Sequence, residues 1–157
     1  MSISRVTLSL VALSVAGLGL TVAAQQKPAA AAAPKVTVYK TSSCGCCRLW
    51  VDYMKQNGFD VQAMDVSSAD VRAVSKAAGL KDEDASCHTA KIGNYVVEGH
   101  VPADDIKRML KEKPAIAGLS APGMPQGSPG MEQGTKEPYD VVAFTKDGKT
   151  TVFAKHK

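Results

Sequence analysis

Three of the chain's four cysteines lie in the sequence CGCC at positions 44–47. An alternating run of β type, residues 35–40, comes directly before this cluster, and a run with helical spacing follows it. The N-terminal end of a helix stabilises thiolates, and a glycine permits a tight turn. The chain is therefore predicted to bring several sulfur atoms together at a junction between a strand and a helix.

The first 24 residues have the features of an export signal. Arg5 supplies a positive charge, residues 6–22 are apolar or small, and small residues precede a cleavage point after Ala24. An Ala/Pro/Gln linker is expected over residues 25–34. A membrane anchor is the alternative, but the apolar core is diluted by Ser and Gly and no basic cluster follows it. We therefore expect a periplasmic protein that has no membrane attachment after cleavage.

Length and charge narrow the class of protein further. A chain of 157 residues with 45% apolar residues can form one domain with a buried core. The net charge of +4 is small and scattered, and no basic stripe with interleaved aromatic residues is present. Nucleic acid is therefore not an expected partner.

Residue periodicity predicts the element order β-α-β-α-β-β-α between residues 35 and 114. The predicted elements are a strand at 35–40, a helix ending before Gly58, a strand at 59–64, a helix from Ser67 or Ser68 to Ala78, hairpin strands at 89–92 and 95–98, and a helix between Pro102 and Pro114. Residues 117–134 are rich in Gly, Pro and Met without periodicity and predict a loop. Residues 139–144 and 150–153 predict a closing β-hairpin.

This α/β order, with cysteines at its first strand–helix junction, resembles the thioredoxin-like fold. A thioredoxin-like metal-binding domain is expected over residues 35–157, with the loop and hairpin as a C-terminal extension from about residue 115. In this topology strand three begins, and strand four ends, at the edge of the sheet that carries the cysteine cluster. Cys87, His88 and His100 are therefore expected beside it. Cys87 and His88 stand where thioredoxin-like proteins typically carry a cis-proline.

The cysteine sulfurs indicate which metal ions the site could bind. Sulfur ligands select Cu(I) and Zn²⁺, whereas Mg²⁺ and Ca²⁺ would need carboxylates. Adjacent Cys46 and Cys47 are expected to point in different directions, which favours bridging sulfurs and more than one metal ion.

Two other uses of the cysteines stay open at this point. Cys44 and Cys47 have the CxxC spacing of a disulfide oxidoreductase. Four cysteines in an oxidising compartment also permit two structural disulfides, although so tight a cluster cannot close a large loop. A hydrolase is not indicated, because no Ser-His-Asp set, phosphate loop or zinc-protease helix is present.

Four motifs together resemble the DUF411 metal-binding family, which includes periplasmic copper-resistance proteins of the CopG type. They are CGCC at 44–47, ASCHT at 85–89, VVEGHVP at 96–102 and GLSAPGMP at 118–125. The resemblance extends from residue 35 to about residue 156. It implies a thioredoxin-like fold and copper handling in the periplasm, with the CxCC cysteines and the Cys87–His88 pair as ligands.

The predicted function is therefore periplasmic copper binding, with Cu(I) as the expected ion and zinc as the alternative, in copper handling or resistance. The predicted ligands, in order of expectation, are Cys44, Cys46, Cys47, Cys87 and His88, followed by His100 and Met124. The alternative for His88 is that it caps or lines the loop, and the alternative for His100 is a structural hydrogen bond. For Met124 and Met131 the alternative is gap filling. His156 is expected to be a solvated tail residue.

The alternative function is that of a thiol-disulfide or Cu(I)/Cu(II) oxidoreductase. The expected partners are the metal ion and other periplasmic copper-handling proteins, and the chain is expected to be a monomer. The number of metal ions, the choice between storage, delivery and redox roles, and whether residues 117–134 cover the site stay open.

Overall fold

The structure is a computed structural model that describes residues 32–157. The predicted export signal and residues 25–31 of the predicted linker lie outside the described residues. Among residues 32–157, no helix combines the length and apolar character that a membrane span requires.

The described residues form a mixed α/β structure with one seven-stranded sheet and three α-helices. Its elements are β1 (Lys35–Lys40), α1 (Gly45–Gln56), β2 (Asp60–Asp65), α2 (Ser68–Ala77), β3 (His88–Ile92), β4 (Tyr95–Glu98), α3 (Ala103–Glu112), β5 (Gly118–Ser120), β6 (Tyr139–Phe144) and β7 (Thr150–His156). The predicted β-α-β-α-β-β-α order is confirmed as far as α3.

The predicted loop over residues 117–134 is wrong at its start, because Gly118–Ser120 forms β5. This strand pairs in parallel with β4 and antiparallel with β6. The strand has three residues and begins with a glycine, whose Cβ position is occupied by the carbonyl oxygen of Val96. Such a segment carries no readable periodicity. Through β5 the C-terminal hairpin continues the central sheet, in the order β2-β1-β3-β4-β5-β6-β7.

Strand register brings the predicted site residues to one edge of the sheet. β3 runs antiparallel to β1, with His88 opposite Lys40 at the end of β1. β4 runs antiparallel to β3, with Glu98 opposite Thr89. The start of β3 and the end of β4 therefore lie beside the N-terminus of α1, as the predicted topology requires.

Helix α1 is held in place by buried apolar residues and by two polar contacts. Trp50 and Met54 are fully buried in the main core, and burial of such a side chain stabilises a fold by about 1.5–3 kcal/mol. The Trp50 indole N–H donates to the carbonyl of Val101 at 3.0 Å, and the Ala103 N–H donates to the Tyr53 hydroxyl at 3.1 Å. These bonds join α1 to the segment that carries His100 into α3.

The expectation that His156 is a solvated tail residue is wrong. β7 extends to His156, which lies opposite Tyr139 in the register of β6. Its Nε2 is 2.7 Å from Asp105 Oδ2 on α3, and its ring stacks on Tyr139 with centroids 4.8 Å apart. The predicted strand was shorter than the real one, so the contact with α3 was not anticipated.

Candidate metal centre

The four cysteine sulfurs meet at the N-terminus of α1, all within 4.8 Å of one another. Cys44 is the N-cap residue, and its Sγ accepts the Cys47 N–H at 3.3 Å. Cys44 and Cys47 are joined by a disulfide, whereas Cys46 and Cys87 are free and half-buried. The helix start thus places two free thiols beside a disulfide.

Cys87, from the segment before β3, completes the sulfur cluster. Its Sγ is 3.9 Å from Cys46 Sγ and 3.5 Å from Cys47 Sγ, and Cys44 and Cys46 are 3.6 Å apart. Two sulfurs bound to one tetrahedral ion at about 2.3 Å would lie about 3.8 Å apart. Apart from the bonded Cys44–Cys47 pair, the sulfurs are therefore already near ligand spacing. Contrary to the expectation from their adjacency, Cys46 and Cys47 both face Cys87.

Two imidazoles adjoin the same sulfur on its other side. Cys87 Sγ is 3.5 Å from His88 Nδ1 and 3.2 Å from His100 Nε2. These three residues form a second group of possible ligand atoms within 4.8 Å of one another. Cys87 therefore belongs to both groups, and one sulfur there can bridge two ions.

His88 is fully buried, and among residues 32–157 its Nε2 has no hydrogen-bond partner. Its ring lies 4.6 Å from that of Trp50 and 5.0 Å from that of His100, measured between centroids. Burial, assisted by the neighbouring His100, holds the pKa of His88 well below its usual range. A buried polar atom without a partner costs about 1–3 kcal/mol. A neutral imidazole in this position has a lone pair available for a metal ion.

The tautomer of His100 follows from its contact with the C-terminal part of the chain. Its Nδ1 lies 2.8 Å from the carbonyl oxygen of Pro129, which can only accept, so Nδ1 carries the proton. Nε2 then directs its lone pair at Cys87. Burial lowers the pKa of His100 as well, which favours this neutral form. His100 thus combines a structural hydrogen bond with the geometry of a ligand.

Residues 121–138, between β5 and β6, pass over the cluster and are called the covering segment. Gly130 packs so closely that a Cβ there would lie 2.9 Å from Trp50 N and 3.0 Å from Cys46 O. On the other side of the cluster, Gly123 N–H donates to Ala85 O at 3.0 Å. The question left open by the sequence is answered: this segment covers the site.

Comparisons with known proteins agree with this arrangement. The family described as "Protein of unknown function, DUF411" matches residues 84–131, a range that includes Cys87, His88 and His100. Two solved structures, both of a copper resistance protein copG in forms 1 and 2, are each 40% identical to the chain with a TM-score of 0.72. The matches cover 78% and 80% of this chain, and 98% and 99% of those chains. The chain belongs to the DUF411 family, together with these CopG proteins. No curated protein matches the sequence.

Glu98 of this DUF411 protein is a site residue that the sequence analysis missed. It is fully buried, and its two oxygens accept from Ser86 N–H at 2.8 Å and from the Thr89 hydroxyl at 2.5 Å. Ser86 and Thr89 flank Cys87 and His88, so one carboxylate holds both sides of this pair. Burial raises the pKa of Glu98, partly offset by the Thr89 hydrogen bond. The available signal was an acidic residue at the end of an otherwise apolar strand.

Met124, the remaining predicted ligand, lies at the surface next to the two donor groups. Its side chain is 53% exposed and lies beside Cys87 at the rim of the covering segment. At the entry to β3 no cis bond takes the place of the missing proline, and the described residues contain no cis peptide. The DUF411 chain thus brings its six predicted Cys and His ligands together in two overlapping groups.

Proposed function

We propose that this protein binds copper as Cu(I) in a periplasmic thiolate site, as part of copper handling or resistance. The observation that carries the proposal is Cys87, whose sulfur is shared by a four-sulfur group and a Cys-His-His group. A thiolate can bridge two metal ions, so the arrangement supports a site for more than one copper. The element order and the order of strands β2-β1-β3-β4 also support a thioredoxin-like core.

The donor types favour copper over hard cations. Both groups contain only sulfur and imidazole nitrogen, which suit Cu(I) and Zn²⁺. The nearby carboxylate of Glu98 is engaged by Ser86 and Thr89. The similar solved structures are of copper resistance proteins, which favours copper over zinc.

Metal binding by all four cysteines requires the loss of thiol protons and the prior reduction of the disulfide. Burial, together with the neighbouring Cys46, raises the pKa of Cys87 to about 12, so an incoming ion must displace its proton. Cys44 and Cys47 can serve as ligands only after their disulfide has taken up two electrons and two protons from a reductant. The two free thiols and two imidazoles need no such step. Copper capacity is therefore expected to rise when the protein is reduced.

The same disulfide supports a second candidate function, that of an oxidoreductase. Cys44 lies at the helix N-terminus, where a thiolate is stabilised. When two thiols close to a disulfide they release two electrons and two protons. These electrons would reduce a disulfide in a partner protein or two Cu(II) ions to Cu(I).

The test is the metal content of the anaerobically reduced protein after loading with Cu(I) and desalting, measured by elemental analysis. We expect more than one copper per chain, and in Cys46→Ser the loss of the copper that the four-sulfur group holds. The proposal fails if the wild type retains no more copper than a variant with all four cysteines changed to serine. Reduction of a standard protein disulfide by metal-free protein would favour the oxidoreductase.

A further inference from the structure

The covering segment leaves two separate openings to the sulfur cluster. The first is a cleft of about 630 Å³ at the start of α1, lined by Cys46 and, from the covering segment, by Met131. The second is shallower, about 250 Å³, and is lined by Cys87 and, again from the covering segment, by Met124. Each opening therefore contains one free thiol and one methionine.

The two openings meet at the two free thiols. Cys46 Sγ and Cys87 Sγ are 3.9 Å apart. Between the openings the covering segment is anchored to His100 by the Pro129 carbonyl and packs on α1 through Gly130. An ion that reaches either thiol is thus within one ligand exchange of the other.

The surroundings of the methionines favour a role other than packing. Met124 is 53% exposed, and Met131 is only partly buried in the wall of its cleft. Gap filling, the usual role of methionine, requires a buried position. A thioether is a neutral, soft ligand without a proton to lose, so it can bind Cu(I) weakly and release it quickly.

We propose that the two openings are separate exchange points for Cu(I), one through Met131 to Cys46 and the other through Met124 to Cys87. In each, the bond between Cu(I) and its carrier breaks as a bond to the methionine Sδ forms. The Cu–Sδ bond then breaks as a bond to the cysteine Sγ forms, and the thiol proton passes to water. Copper stays Cu(I) throughout. This inference rests on the proposed copper-binding function.

The test uses leucine at each methionine, because a Met-to-Leu change conserves volume and is well tolerated. Reduced wild-type protein, Met124→Leu, Met131→Leu and the double variant are mixed with Cu(I) in acetonitrile, and loading is followed by stopped-flow absorbance. Met64→Leu is the matched control, since Met64 is 42% exposed and lines neither opening. Copper content at equilibrium is measured for every variant.

The expected result is that the double variant loads about tenfold more slowly, the effect of losing one modest metal contact from the transition state. Each single variant should slow less, because the other opening still works, and Met64→Leu should match the wild type. Equilibrium copper content should be unchanged in all of them.

Three results would overturn the inference. A double variant that loads at the wild-type rate would show that the methionines take no part in copper exchange. A single variant as slow as the double would mean that the two openings are not independent. A fall in equilibrium copper content would make a methionine a ligand of the resting site. Wild-type protein that takes up no copper would refute the underlying copper-binding proposal instead.

Discussion

His88 and His156 lie in two regions that differ in whether the imidazole nitrogen has a partner within the chain. His156 is paired with Asp105 and stacked on Tyr139, and these three residues, here called the clasp, join β6 and β7 to α3. His88 is fully buried against Trp50, and its Nε2 has no partner among the described residues. In the clasp, His156 Nε2 and Asp105 Oδ2 pair with each other, as in a structural contact. In the candidate metal centre one buried nitrogen, His88 Nε2, is left without a partner, and this difference separates a group that holds the fold from a group positioned for a ligand.

The largest effect that would test this comparison is expected from Cys87→Ser. Because Cys87 belongs to both donor groups, its loss should remove at least half of the bound copper. Elemental analysis of the reduced, loaded protein measures this. Asp105→Asn, which weakens the clasp, is the control and should keep wild-type copper content. Equal copper in Cys87→Ser and the wild type would show that the shared sulfur is not a ligand.

Glu98→Ala should destabilise the metal-free protein by about 2–4 kcal/mol, because it leaves the Ser86 N–H without its acceptor and the Thr89 hydroxyl with only its longer bond, 3.3 Å, to the Val71 carbonyl. Urea denaturation measures the loss. Copper affinity, measured by competition with a chelator, should also fall, because Cys87 loses its fixed position. Glu98→Gln keeps an acceptor for Ser86 and should lie between Glu98→Ala and the wild type. Unchanged copper affinity in a folded Glu98→Ala would contradict the positioning role.

A pair of matched substitutions tests the comparison directly. His156→Leu should cost the metal-free protein about 1–2 kcal/mol, since it removes the partner of the buried Asp105. His88→Leu should cost less than about 1 kcal/mol, because it replaces an unsatisfied buried group by an apolar one. Copper loading should stabilise His156→Leu as it does the wild type, and His88→Leu less. Urea denaturation of the wild type and both variants, each with and without copper, measures these free energies of unfolding. A larger cost for His88→Leu than for His156→Leu, or a larger stabilisation by copper in His88→Leu, would refute the assignment of His88 as a metal ligand.

The stability of the metal-free protein is also expected to depend on pH, because two histidines are buried in the neutral form. Folding holds the pKa values of His88 and His100 below 6.5, so the unfolded chain binds more protons below that pH and stability falls on acidification. Glu98, whose pKa is raised, acts in the opposite direction between 4.5 and its folded pKa. The net loss from pH 7 to pH 5.5 should be about 1–2 kcal/mol. His88→Leu should reduce it, and a flat profile in the wild type would contradict the burial of two neutral histidines.

The sequence predicted those parts of the site that depend on local pattern or on simple topology. The CGCC sequence before a helix located three sulfurs, and the antiparallel order of strands one, three and four correctly placed Cys87, His88 and His100 beside them. Other contacts join residues far apart in the chain and leave no local pattern. Examples are β5, recognisable only from its pairing with β4 and β6, and the contact of His156 with Asp105.

Glu98 was missed for a different reason. An acidic residue in a strand is usually exposed, and its burial here depends on donors from the segment on either side of Cys87 and His88. Leu49 shows the converse, since it belongs to the helical apolar run that follows the cysteines but is 45% exposed at the first opening.

Gly130 carries a consequence for how the metal centre is protected. It has a φ of +86°, and the space for its Cβ is taken by the backbone of α1 and by His100. Any side chain at this position would act as a wedge that lifts the covering segment from Cys46 and breaks the contact between Pro129 and His100. The half-buried thiols of Cys46 and Cys87 would then be more exposed to water and dissolved oxygen. The protection of these two free thiols from oxidation therefore depends on the absence of one methyl group at residue 130.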